Sequence, residues 1–274
     1  MLMSSVPPFE FVGWRIIWTL PLCLVIVAAR RQFLEIMAAL RDPRAMLMLL
    51  TSAVLIGINW FVYIWAIIEG NVYATSLGYY LNPLLNVLLG TLLLGERLSK
   101  WQWIAVAIAA CAVGLLAIGA LTTLWISLSL AMSFGLYGIV RKKVNVGALP
   151  GLTIESAILL PVAAIIAGSY AASEAGTVFG SDLKLSVLIV FSGVVTAVPL
   201  LLFAIAARRM EYSTLGFIQY MAPTIVFLLG LFVFGEELKP VQLASFGLIW
   251  TAVAIFAGDL FVRARRAKRA PLAT

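Results

Sequence analysis

The chain has 274 residues, of which 63% are hydrophobic and 11% charged, and its mean hydropathy is +1.08. A soluble domain carries about 25% charged residues, so this composition describes an integral membrane protein. The net charge of +7 belongs with loops that set orientation rather than with a nucleic-acid partner, and the absence of histidine excludes histidine metal sites, serine–histidine triads and histidine proton relays.

About 20 apolar residues in a row cross the hydrocarbon core as a helix. Nine such runs occur, at about 12–29, 46–68, 72–94, 101–119, 122–140, 152–170, 186–206, 213–234 and 240–262. The runs are continuously apolar and do not alternate, which predicts helices and not barrel strands. The longest connections, 30–45 and 171–185, are too small to be domains. Cys23 and Cys111 both fall inside apolar runs and read as small buried residues.

Lys and Arg divide unevenly among the connections. One alternate set holds 16 of them, including Arg30, Arg97, Arg141, Lys142, Lys143, Arg208 and the tail from Arg263 to Arg269; the other set holds Lys184 and Lys239. This bias predicts a cytoplasmic C-terminus and, by the parity of nine spans, an external N-terminus. The basic tail is an orientation signal first and an anionic-lipid contact second.

The segment YYLNPLLNVLLGTLLLGERLS at 79–99 returns as QYMAPTIVFLLGLFVFGEELK at 219–239. Over 79–103 and 219–243, nine of 25 positions are identical, among them Tyr80/Tyr220, Pro83/Pro223, Gly90/Gly230, Gly95/Gly235, Glu96/Glu236 and Gln102/Gln242. The same shift of 140 superposes the first four spans on the last four. Equivalent spans lie five apart, an odd number, so the two copies insert in opposite directions. Inverted repeats characterise secondary transporters, in which one half rocks against the other around a central site. The predicted fold is all-α, with two inverted-topology repeats: residues 1–119 hold four helices of a five-helix unit, and 120–274 hold five helices plus a basic tail. The span at 122–140 has no counterpart, so a ten-helix fold lacking its first helix is expected, from a late start assignment or from truncation.

Intramembrane polar residues need a reason. Asn59, Trp60 and Tyr63 fall in the second span, Tyr79, Tyr80, Asn82 and Asn86 in the third, and Gln219 and Tyr220 in the eighth. Tyr79, Asn82 and Asn86 recur at helical spacing. Two readings stand, a substrate cavity and interhelical hydrogen bonding, the first favoured for Tyr80, Asn82 and Gln219. Pro83 and Pro223 each remove a helical hydrogen bond; as helix breaks they would release carbonyls toward a cavity, or else simply kink the packing. Arg15 and Glu155, 140 residues apart, are candidates for charge or coupling roles, Arg15 attracting anionic groups and Glu155 taking up a proton. The alternative is that both snorkel to headgroups. Glu96 and Glu236 read as turn and N-cap chemistry for the helix that follows. Gly90, Gly135, Gly138 and Gly230 read as close-packing positions.

The segments SLGYYLNP at 76–83, YGIVRKK at 137–143, TAVPLL at 196–201 and STLGFIQYMAP at 213–223 resemble the RarD branch of the EamA-type drug/metabolite transporters, and the similarity runs along the whole chain. The resemblance implies ten helices in two inverted five-helix repeats, a bacterial inner-membrane permease, and coupling to protons or membrane potential. The chain departs from the pattern at Trp14, where a histidine is expected before Arg15, and at Ala74, where relatives often carry glutamate; the second departure weakens any coupling scheme built on that glutamate.

The expected function is therefore a secondary transporter, an exporter of small organic metabolites or drugs by alternating access. No P-loop is present, and no cofactor or metal is expected. The partners are a small-molecule substrate and the lipid bilayer; monomer and homodimer both remain open. A transport-inactive or non-transporting membrane protein is the alternative, and a membrane enzyme lacks the nucleophile–base pairs it would need.

Overall fold

The computed structural model describes residues 6–174, 176–233 and 240–269. Its helices are α1 (Pro8–Arg30), α2 (Phe33–Arg41), α3 (Pro43–Ile68), α4 (Val72–Leu94), α5 (Lys100–Ala117), α6 (Leu124–Lys143), α7 (Ala148–Ala171), α8 (Leu183–Arg209), α9 (Tyr212–Gln219), α10 (Met221–Phe232) and α11 (Pro240–Arg269), with a 3-10 turn at Ile118–Thr123 leading into α6. Among the described residues, nine spans are long and apolar enough to cross a membrane. They coincide with the nine predicted runs, the eighth being α9 continued by α10. The architecture is thus all-helical and multi-pass, as the composition requires.

The connection 30–45, expected as a loop, contains α2. Its Phe33, Leu34, Met37 and Leu40 are exposed while Ala39 is buried, the pattern of a short helix lying at an interface. Cys23 is buried as expected, but Cys111 is exposed on α5, because being inside an apolar span does not decide which face of the helix a residue occupies.

The chain divides into two compact units, 1–68 with 136–209 and 69–135 with 210–274. The division cuts across the sequence repeats, and α6 changes unit at Gly135–Leu136. In the first unit α1 packs on α7 and α8, and α3 packs on α7. In the second, α4 packs on α9 and α5 on α11. The pairs α1/α7, α4/α9 and α5/α11 are each equivalents under the 140-residue shift. Each unit is therefore assembled from matching helices of both inverted repeats.

Small residues bring these helices together. A Cβ on Gly193 would fall 2.7 Å from the Trp18 carbonyl carbon, and one on Gly216 would fall 2.8 Å from the Pro83 oxygen. Gly135 and Gly90 pack as expected: a Cβ on Gly135 would meet Leu89 at 2.8 Å, and one on Gly90 would meet Glu96 at 2.6 Å. In the second unit Phe217 stacks on Phe256, ring centroids 3.8 Å apart, over a floor of Ala105, Ala109, Ala112 and Ala252.

Helix ends follow local chemistry. Ser99 and Gln102 form a reciprocal capping box at the start of α5. Glu96, expected to cap that same helix, instead reaches α9. Its carboxylate accepts from the Tyr212 N–H at 2.6 Å, the Ser213 N–H at 2.9 Å and the Ser213 hydroxyl at 2.6 Å. With Ser99 already occupying the α5 cap, the glutamate satisfies the orphan N–H groups of the helix from the other repeat. Gly235 and Glu236, and the surroundings of Gly230, lie outside the described residues.

Candidate functional site

In the first unit, Gly151 and Glu155 lie one turn apart on α7. A Cβ on Gly151 would collide with the Arg141 guanidinium, so the missing side chain opens the slot that this cation fills. Arg141, in the last turn of α6, is fully buried, and Glu155 is 2% exposed. Their ion pair spans 3.4 Å from Nη1 to Oε1. Arg141 Nη2 donates to the Ala148 carbonyl at 2.8 Å, while its Nε makes no hydrogen bond. Ser52, from α3, donates a short hydrogen bond to Glu155 Oε1, and the Tyr137 hydroxyl stands 3.5 Å from Oε2. Tyr137 in turn stacks on Phe203, and both Ser52 and Tyr137 are buried.

This corrects two expectations. Glu155 does not snorkel to headgroups; it is held in the interior by a cation and two hydroxyls. Arg141 is not a solvated orientation charge but the internal counter-cation, because an isolated buried carboxylate would be several kcal/mol too costly, about 3–5 when one partner of such a pair is removed. The neighbouring Lys142 and Arg208 also serve as structure. Lys142 donates to the Ala207 carbonyl at 2.9 Å near the end of α8, and Arg208 donates to the Val146 carbonyl. Lys142 thereby complements the carbonyl-rich end of α8, and Arg208 satisfies a carbonyl of the turn between α6 and α7.

The first unit also carries Arg15, Asn59, Trp60 and Tyr63. The Arg15 guanidinium lies 4.7 Å from the centre of the Trp60 ring, a cation–π contact that offsets its charge. Asn59, Trp60 and Tyr63 are half-buried on α3.

In the second unit, Asn86 is fully buried where α4, α6 and α9 converge. Its Nδ2 donates to Gln219 Oε1 at 2.5 Å. The absence of a side chain at Gly216 and Gly135 allows this approach. Asn86 Oδ1, Asn82 Oδ1 and the Tyr220 hydroxyl are buried atoms without a hydrogen-bond partner. Tyr80 meets Phe246 edge-on, with centroids 5.9 Å apart, and Tyr79 is exposed. The predicted polar set is thus divided: Asn82, Asn86, Gln219, Tyr80 and Tyr220 lie in one unit, Arg15, Asn59, Trp60, Tyr63 and Glu155 in the other.

The two prolines differ. Helix α4 runs unbroken through Pro83, whereas Pro223 follows an interruption at Tyr220 between α9 and α10. The continuity at Pro83 corrects the expectation of a break there. Proline deletes one hydrogen bond in both helices, but the flanking turns of the longer α4 carry it through.

Sequence reasoning missed Glu10, Arg141 and Ser52. Glu10 is fully buried in the first turn of α1. Its Oε1 accepts from the Thr177 hydroxyl at 2.5 Å, the Val178 N–H at 2.9 Å and Trp14 Nε1 at 3.3 Å. Among the described residues, no group of three or more His, Cys, Asp or Glu could hold a metal.

A model of the EamA-like transporter family matches residues 1–118. The protein RarD of Escherichia coli strain K12 is 40% identical over 275 residues, covering 98% of this chain and 90% of that protein. A transporter of Bacillus subtilis strain 168, YojE, is 38% identical over 259 residues, covering 93% and 86%. The chloramphenicol-sensitive protein RarD of Pseudomonas aeruginosa is 30% identical over 264 residues, covering 94% and 87%. One solved crystal structure superposes with a TM-score of 0.70 at 20% identity, over 93% of this chain and 89% of the other, a likeness of fold.

Proposed function

The chain belongs to the RarD branch of the EamA-like transporter family, and from that premise we propose that it is a secondary transporter exporting small organic molecules by alternating access. That it is a multi-pass membrane transporter follows from its family and the nine spans among its described residues; direction, substrate and coupling are the content of the proposal. The observation that carries it is the assembly of each compact unit from equivalent helices of the two inverted repeats. Such pairing lets one arrangement be exchanged for its mirror across the membrane with little change in contacts.

Glu155 is the coupling group in this reading. Its carboxylate is held by Arg141, Ser52 and Tyr137. A proton taken up there cancels the charge that Arg141 balances and loosens the joint between α3, α6 and α7. Tyr80, Asn82, Asn86, Gln219 and Tyr220 are the candidate substrate contacts within the second unit, with the interruption at Tyr220–Pro223 as its flexible point; Asn59, Trp60 and Tyr63 are separate candidates within the first unit. The C-terminus is cytoplasmic.

The test is flux in proteoliposomes under an imposed pH gradient, screened over small metabolites. Wild-type protein drives uphill movement of at least one compound, and Glu155→Gln abolishes the dependence on the gradient. Undiminished gradient-driven flux in Glu155→Gln would overturn the coupling role.

A further inference from the structure

Helix α2 has three differently occupied sides. Ile36 and Ala39 turn inward, onto a cluster that includes Leu49, Val144 and Ile154. Phe33, Met37 and Leu40 are three and four residues apart and so share the outward side, with Leu34 beside them; they are 49%, 49%, 50% and 82% exposed in that order. Glu35 falls on the side away from this stripe, where it accepts from Gln32 Nε2 at 3.1 Å and lies against Gly147. The helix joins two membrane spans, α1 and α3, and therefore sits at the boundary of the bilayer. An apolar stripe is costly in water, but at that level it can enter the layer just below the lipid headgroups.

Arginines flank the stripe at both ends, Arg30 and Arg31 before it and Arg41 and Arg44 after it. All of them are exposed, and the ion pairs among the described residues, Arg141–Glu155 and Arg263–Asp259, include none of them. Asp42, the acid between the second pair, accepts from the Arg44 backbone N–H at 2.9 Å. Helix dipoles account for Arg30 and Arg41, each in the last turn of its helix. They do not account for the other two. Arg44 stands in the first turn of α3, the end that disfavours a cation. Arg31 is the one non-glycine residue at positive φ among the described residues, at 54°, a conformation that glycine adopts at less cost. The positive-inside rule needs only the number of charges in the connection, not their placement around an exposed apolar stripe.

We propose that α2 and the two arginine pairs that flank it form a binding site for an anionic phospholipid. The arginines hold the headgroup phosphate, which a guanidinium pairs through two parallel N–H donors, and the acyl chains pack along Phe33, Leu34, Met37 and Leu40. The unpaired positive charge selects an anionic lipid over a neutral one, and the stripe selects a lipid over a free phosphate. The site does not depend on the substrate, direction or coupling of transport.

The full chain in neutral detergent can be titrated with phosphatidylglycerol and with phosphatidylcholine of the same acyl chains, and the lipid that stays with the protein through size exclusion measured by mass spectrometry. Phosphatidylglycerol should bind at least about tenfold more tightly. Salt at 1 M, which shortens the Debye length to about 3 Å, should erase most of that preference. Arg31→Gln and Arg44→Gln should each weaken phosphatidylglycerol about fivefold, and replacing all four arginines with Gln should remove the preference. Leu34→Ser should weaken both lipids, and removal of residues 266–274 should leave the preference in place. Equal binding of the two lipids by the wild-type protein overturns the site and requires no variant to fold. A preference that survives loss of all four arginines, or that disappears with the tail, overturns it as well. A changed oligomeric mass in Leu34→Ser with lipid binding intact would assign the stripe to a second copy of the chain and overturn the lipid site.

Discussion

Replacing Arg141 with Met should destabilise the protein far more than replacing Arg141 and Glu155 together. At 3.4 Å and an effective dielectric of about 20, the attraction within the pair is about 5 kcal/mol. Much of it offsets the cost of removing both ions from water, so the pair as a whole contributes little to stability. Arg141→Met leaves the Glu155 charge buried among Ser52 and Tyr137, at a cost of about 3–5 kcal/mol. Glu155→Met leaves a buried guanidinium without its counter-charge and removes one hydrogen-bond acceptor each from Ser52 and Tyr137, which costs a similar amount. The double variant removes both charges, and two methionines roughly conserve the volume, so it should lie within about 2 kcal/mol of wild type after allowance for the hydrogen bonds that Ser52 and Tyr137 lose, each worth about 1 kcal/mol. The coupling energy is then at least about 3 kcal/mol, far above the 0.3–0.5 kcal/mol that independent sites show. Reversible unfolding in mixed micelles, titrated with a denaturing detergent, measures all four corners of the cycle. Costs that simply add would show that the two charges do not depend on one another, and the buried-pair account of Glu155 would fall.

Other parts of the structure make equally specific demands. Glu96→Ala strips three hydrogen bonds from the start of α9 and should cost about 2 kcal/mol in the same unfolding assay, at the upper end for a lost cap; Ser99→Ala, which removes one side of the α5 capping box and the half-exposed bond from that hydroxyl to Asp259, should cost about 1 kcal/mol. Gly216→Ala places a Cβ 2.8 Å from the Pro83 oxygen. The resulting strain should cost about 1–3 kcal/mol and lower flux in proteoliposomes by displacing Gln219 from Asn86. A cytoplasmic C-terminus requires that a green fluorescent protein fused after Thr274 fluoresces in intact cells and that an alkaline phosphatase fused there is inactive; the reverse pattern would invert the topology.

The spans were legible because the membrane imposes a long, continuous apolar run on each of them, and no tertiary arrangement can relax that demand. The inverted repeat was legible for a related reason. Tyr80, Pro83, the Gly95–Glu96 pair, Gln102 and their partners 140 residues on coincide by chance far less often than leucine does with leucine, so the repeat stands out. The side on which a polar residue is satisfied is not encoded in the same way. Glu96 and Ser99 sit three residues apart, and both are good capping residues. Which helix each one caps depends on where α9 lies, and that follows from long-range packing at Gly216 and Gly90.

The position of a charge in the sequence is a weaker guide still. YGIVRKK reads as three equivalent basic residues at the end of a span, and the positive-inside rule treats them alike. In the folded unit they part ways. Arg141 is wholly buried against Glu155, Lys142 caps the end of α8, and Lys143 is exposed. Arg141 is selected for the interior by Gly151, ten residues later on the facing helix, because only a residue without a side chain leaves room for a guanidinium there. The pairing is therefore written in the sequence as an arginine, a glycine and a glutamate on two helices joined by the short turn 144–147, a pattern that has meaning only once α6 and α7 are known to pack back on one another. Glu10 was hidden for the opposite reason. Two of its three donors, Thr177 and Val178, come from the connection between α7 and α8, some 167 residues away, and the residues around it, Pro7 and Pro8, mark the start of a helix and nothing more.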